Sequence, residues 1–212
     1  MSLEHSTRVV EAILGRGQDC VVVDDLPQGG LSIRVADGAG GVAGSEGAAR
    51  FICGPVGPRH PLYGWLAWMG GHISYLSRLG TPRGIAAAVV LEISNGNQIS
   101  GTSVGDCGAW IFDLDGMPAM ELTSGQRRKP LLGEDGAEPV GFEGDLWGGM
   151  LVVATDGLWK YADLPSCAAT MRLAISNPLF PLDTLADALI DSARLPTGAL
   201  QDDIALAIVA RR

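Results

Sequence analysis

The chain has 212 residues, of which 47% are hydrophobic and 18% charged, with a formal net charge of −9. That length predicts a single domain over residues 1–212 with enough apolar material for a sizeable core. Arg127, Arg128 and Lys129 form the basic cluster of an otherwise acidic chain, and no aromatic residue is interleaved with them, which argues against a nucleic-acid partner.

No apolar run approaches the roughly 18 residues of a membrane-spanning helix. The N-terminal stretch MSLEHSTRVVEAIL lacks an apolar signal core, so the sequence predicts a soluble cytoplasmic protein with no membrane partner. Cys20, Cys53, Cys107 and Cys167 show no CxxC or CxH spacing, and they read as buried small hydrophobes rather than zinc ligands or a disulfide framework.

In chain order, Cys20–Asp24 (CVVVD) and Leu31–Ala36 (LSIRVA) predict two strands joined by the turn-rich LPQGG. Gly44–Cys53 and His60–Leu79 predict helices, the second with Leu62, Leu66, Met69 and Ile73 at helical spacing. Trp65, Trp68 and Tyr75 on that helix are expected in the core. Three strands follow over Ile85–Ile93, Gln98–Gly105 and Ala109–Asp113, the last two joined by a tight Asp106-Cys107-Gly108 turn. Thr123–Gly144 reads as the least structured stretch. Met150–Thr155 predicts a strand, Leu182–Ala193 a helix and Ile204–Ala210 a closing strand. Helices in two batches among runs of adjacent strands predict an α+β fold with largely antiparallel sheets.

The placement of aspartates on these elements is the functional signal. If the first two strands pair as a hairpin, Asp19 at the start of one and Asp37 at the end of the other are neighbours. If Met150–Thr155 and Ile204–Ala210 pair antiparallel, Asp156 and Asp202 also share an end. Carboxylates gathered in this way repel one another, and a hard divalent cation relieves the repulsion. An Asp-Gly after a strand is also a common turn, and Gly38, Gly40 and Ala43 match a dinucleotide-binding G-x-G-x-x-A. The latter lacks the acidic residue expected about 20 positions on; Gly57-Pro58-Arg59 stands there.

VADGAGG (Val35–Gly41), VGDCGAWIFD (Val104–Asp113), LVVATDGLWKY (Leu151–Tyr161) and LQDDIALAIVA (Leu200–Ala210) resemble, in order, four motifs of the PPM family, the type 2C metal-dependent Ser/Thr protein phosphatases. Gly17-Gln18-Asp19 resembles that family's N-terminal acidic motif. The resemblance runs from about residue 17 to the end and implies an α-β-β-α sandwich, with two central antiparallel β-sheets flanked by helices. It implies two Mn²⁺ or Mg²⁺ ions. Asp37 would bridge them with help from the Gly38 carbonyl, Asp156 and Asp202 would complete the shell of one, and Asp19 would support the other. A water held between the ions would attack the phosphorus of phosphoserine or phosphothreonine on a protein, opposing a Ser/Thr kinase. Asp106 is read as structural, an acceptor organising its turn.

Several positions depart from the family pattern. Gln18 replaces a metal-binding glutamate, and Leu14 replaces the phosphate-gripping arginine, for which nearby Arg16 is the substitute candidate. Ala39 and Val42 occupy the places of a histidine, leaving His60 and His72 as candidate leaving-group acids. LGTPRG before Ile85 lacks an aspartate for a third ion. Two alternatives to a protein phosphatase therefore stand: a PPM-fold hydrolase of a small phosphate ester, and a pseudophosphatase that binds a phosphoprotein without turnover.

Overall fold

The computed structural model describes residues 2–54, 62–78 and 84–212. The first segment forms β1 (Leu3–Val10), β2 (Asp19–Asp25), β3 (Gly30–Gly38) and α1 (Ser45–Ile52), and the second forms α2 (Leu62–Arg78). The third begins with β4 (Ala86–Ser94), β5 (Gln98–Val104), β6 (Gly108–Phe112), β7 (Pro118–Glu121), β8 (Val140–Asp145) and β9 (Met150–Ala154). It ends with α3 (Asp156–Tyr161), α4 (Leu164–Ser176), α5 (Leu182–Ser192) and β10 (Ile204–Arg211).

The strands make two five-stranded sheets, ordered β1-β10-β9-β6-β7 and β2-β3-β4-β5-β8, and the pairings within both are antiparallel. Side-chain alternation explains the layering. In β3 and β4, Leu31, Ile33, Val35, Val89, Leu91 and Ile93 face Leu151, Val153, Ala207 and Val209 of the other sheet, forming the central core. The opposite faces of the same strands are also covered. Ala86, Ala88 and Val90 pack under α1 and α2 with Ile52, Leu66 and Met69. Val152, Ala154, Leu206 and Ile208 pack under α4 and α5 with Met171, Leu185 and Leu189. Strands buried on both faces need near-continuous apolar sequence, which is why AAAVVLEI and IALAIVA read as strands without clear alternation. The result is four layers, helix–sheet–sheet–helix.

The structure departs from the sequence expectations at several places, among them β7, α3 and α4, which no expected element covered. β1 was not predicted, because LEHSTRVV carries little apolar signal; its eight-residue register with β10 makes it a strand. The stretch Thr123–Gly144 is mostly loop, yet Val140 opens edge strand β8. Asp106-Cys107-Gly108 does not close a hairpin. β5 lies in one sheet and β6 in the other, so these residues are a corner where the chain crosses the sandwich. Trp68 is 54% exposed rather than core, and on the outer surface of α1 and α2 it stacks on His72 and lies tilted against Phe51. The side chains of Trp65 and Tyr75 lie outside those described. No described helix is long and apolar enough to cross a membrane.

Candidate metal centre

Three junctions deliver aspartates to one end of the sandwich. β2 and β3 pair in a register that sets Asp19 directly opposite Asp37, as the hairpin reading expected. β9 and β10 pair antiparallel with Ala154 opposite Leu206, so Asp156 and Asp202 leave from the same end. The third junction is the crossover corner, which carries Asp106. One carboxylate oxygen from each of Asp37, Asp106 and Asp156 lies within 4.8 Å of the other two. These three floor a cleft of about 350 Å³, whose walls include Gln18, Asp19, Gly38, Asp202 and Asp203 together with Lys129 and Lys160.

The glycine after each strand-end aspartate has a packing reason. A Cβ on Gly38 would sit 2.6 Å from the Ser45 carbonyl oxygen and 2.9 Å from that of Gln18. A Cβ on Gly157 would sit 2.0 Å from the carbonyl oxygen of Asp203. Backbone from the neighbouring junction passes directly over each glycine, and this close approach brings the carboxylates together. Asp203 adds a second tie. Its carboxylate accepts hydrogen bonds from the backbone N–H of Ala12 at 2.8 Å and of Gln18 at 2.9 Å, clamping the loop between β1 and β2 onto the turn before β10.

Electrostatics show what the cluster lacks. Burial, together with the Asp37 charge, pushes the Asp19 carboxyl up to about 9. Burial and the Asp156 charge push Asp37 up to about 7. Asp156 is also raised, by burial and by Asp106, against the opposing pull of its hydrogen bond from Lys160. Lys160, one helical turn along α3, pairs with Asp156, and Arg128 pairs with Asp106 at 2.9 Å. Six aspartates against two lysines in the cleft lining leave negative charge to be balanced.

The donor set fits a hard divalent cation. It consists of carboxylate and carbonyl oxygens, the ligands Mg²⁺ and Mn²⁺ prefer. The neighbouring thiol of Cys107 is fully buried and held neutral by that burial, so it offers no thiolate to a softer metal.

Of the residues singled out from sequence, Asp19, Asp37, Gly38, Asp156 and Asp202 all line this cleft. Asp106 stands with Asp37 and Asp156 in the tightest group, and its carboxylate accepts hydrogen bonds from Arg128. Arg16 is exposed and is not among the residues lining the cleft. His72 stacks on both Phe51 and Trp68 in a three-ring cluster on the outer helical layer, away from the cleft lining. His60 and most of LGTPRG lie outside the described residues. Lys129, Lys160 and Asp203 were missed. The i,i+4 spacing of Asp156 and Lys160 was a legible signal for one of them.

Comparison with solved structures agrees with this architecture. A bacterial serine phosphatase superposes with a TM-score of 0.79 at 14% identity, covering 99% of this chain and 98% of that one. The serine/threonine phosphatase Stp1 from Staphylococcus aureus gives 0.76 at 16% identity, covering 100% and 96%. RsbX in complex with magnesium gives 0.72 at 14% identity, covering 98% and 94%. The chain has the fold of the PPM phosphatases. No protein-family model matches the sequence, and no curated protein matches it. At these identities the likeness to the PPM structures is one of backbone, and the chemistry rests on the cleft itself.

Proposed function

We propose that this chain is a Mn²⁺- or Mg²⁺-dependent phosphatase that hydrolyses phosphoserine and phosphothreonine on proteins, opposing a Ser/Thr kinase. The observation that carries the reading is the convergence of Asp37, Asp106 and Asp156 on one point at the floor of an open cleft. Asp37, Asp106 and Asp156 would hold one ion, and Asp19, Asp202 and the Gly38 carbonyl would contribute to a two-ion site. When bound, the ions supply charge neutralisation at the phosphoryl oxygens and a water nucleophile usable at neutral pH.

The chain's own groups do the rest. Lys160 places an ammonium beside Asp156, and Lys129 places a second at the cleft wall, where each can meet an anionic oxygen. The backbone crossing over Gly38 and Gly157 keeps the carboxylates in fixed relation, so little reorganisation accompanies binding. Each described cysteine thiol except that of Cys20 is buried, so a covalent thiol route has poor support.

The position of Arg16 outside the cleft lining favours the second reading, a pseudophosphatase that binds a phosphoprotein without turnover. Hydrolysis of para-nitrophenyl phosphate with Mn²⁺, with Mg²⁺ and with chelator separates the two. Turnover that needs metal and is lost in Asp156→Asn is the expected result. A folded wild type that binds Mn²⁺ in calorimetry but turns over no ester in any metal would establish the binder instead.

A further inference from the structure

We propose that the basic run Arg127-Arg128-Lys129 is a substrate-reading rim that selects phosphorylated segments with acidic residues beside the phosphoresidue. This deepens the phosphatase reading and rests on it. The run is the basic cluster of a chain whose net charge is −9, and the fold sets it against the cleft. Lys129 lines the cleft wall, and Arg128 reaches the Asp106 carboxylate on its floor. All three residues are exposed.

The loop that carries them is pinned to the crossover corner. The Gly105 N–H donates to the Arg127 carbonyl at 3.2 Å, and the Gln126 side-chain amide donates to the Cys107 carbonyl at 2.7 Å. The Ala109 N–H donates to the Thr123 hydroxyl at 3.2 Å, and Leu132 exchanges backbone hydrogen bonds with Ala86. The backbone that carries the three basic residues is thus anchored to the corner bearing Asp106. Among the described residues neither Arg127 nor Lys129 makes an ion pair within the chain, so their charges are available to a ligand.

The field around them sets the preference. The cleft floor is a concentration of aspartates, which repels an anionic peptide until cations fill it. The basic run offers compensating positive charge beside that floor, through Lys129 in the cleft lining and Arg128 on Asp106. Carboxylates flanking the phosphoresidue meet the rim while the phosphate meets the floor, and a neutral flank gains nothing there. Lys129 is the member of the run that lines the cleft. The rim therefore supplies from the crossover corner the positive charge that Arg16, outside the cleft lining, does not bring to it.

Two fluorescein-labelled phosphoserine peptides test this, one with glutamates on both sides of the phosphoserine and one with glutamines. Binding is read by anisotropy with Mg²⁺ on the wild-type chain, using non-hydrolysable phosphonate analogues of both peptides so that turnover does not enter the measurement. The glutamate peptide is expected to bind roughly five- to tenfold tighter at low salt, the size of two or three exposed ion pairs. The preference should shrink steeply by about 0.5 M salt. Arg127→Glu, which leaves the backbone bond to Gly105 in place and lies outside the cleft lining, is expected to abolish the preference. In an otherwise wild-type chain it should leave para-nitrophenyl phosphate hydrolysis unchanged. Equal binding of the two peptides, or a preference that survives both Arg127→Glu and Lys129→Glu, would overturn the proposal. Loss of the phosphatase reading shows separately, as a wild type inert toward the small ester, while the binding comparison still decides the rim.

Discussion

Replacing Asp37 with asparagine should stabilise the metal-free protein. Asp37 sits opposite Asp19 and close to Asp106 and Asp156, and burial with the Asp156 charge raises its carboxyl from the ordinary 3.8 to about 7. A carboxyl raised in the folded state binds more protons folded than unfolded between those two values, so stability falls as pH climbs through that window. Above it, the difference between 3.8 and about 7 corresponds to about 4 kcal/mol of destabilisation. Asp19 and Asp37 titrate as a pair, so part of that cost belongs to Asp19, and a buried amide keeps some desolvation cost of its own. The expected net gain in Asp37→Asn is about 2–3 kcal/mol at pH 8 in chelator. For a chain of this length that is a rise in Tm of roughly 4–12 °C.

At pH 5 the gain should drop to less than half, because the wild-type carboxyl is then already protonated when folded. Saturating Mg²⁺ should reverse the order. A ligand at a thousand times its Kd adds about 4.1 kcal/mol to the wild type, more than the variant's gain in chelator, while the variant has lost a ligand. Thermal melts of both proteins at the two pH values, with chelator and with Mg²⁺, check each arm. A variant that melts at or below the wild type in chelator at pH 8 would refute the argument that these carboxylates are held together against their repulsion.

Three further outcomes follow from the same geometry. Asp106→Asn should weaken Mn²⁺ binding at least tenfold by calorimetry while preserving the fold, since Asp106 belongs to the tightest carboxylate group; unchanged affinity would return it to a structural role. Asp203→Ala strips the acceptor from the Ala12 and Gln18 N–H groups and should cost about 1–3 kcal/mol, with faster hydrogen exchange confined to residues 11–18. Gly157→Ala places a Cβ 2.0 Å from the Asp203 carbonyl oxygen, so it should lower stability by about 1–3 kcal/mol and weaken metal binding by moving Asp156 off the cluster; chemical denaturation and calorimetry read the two effects.

What the sequence by itself determined were the features that depend on neighbours in the chain. CVVVD and LSIRVA flank one short turn, so their pairing followed from local turn chemistry, and with it the meeting of Asp19 and Asp37. MLVVA and IALAIVA were legible as buried strands because both faces are covered, which demands apolar residues throughout. Aspartates at their ends then shared one end of the sheet as soon as the two strands paired antiparallel.

Tertiary structure decided whatever depended on which sheet a strand joins. The segment around Asp106 has the composition of a hairpin turn, and nothing local reveals that β5 and β6 part company there. That crossover brings Asp106 to the carboxylate group with Asp37 and Asp156, and the loop after β7, bonded back to the corner, brings Lys129 into the cleft lining, far along the chain from Arg16. β1 escaped notice for a related reason. Its residues are mostly polar, and its strand conformation is held by the eight-residue ladder to β10 at the opposite end of the chain. Local sequence encodes conformation and turn geometry, whereas the meeting of distant segments is settled by which buried faces cover one another, and here that cover assembled the cleft.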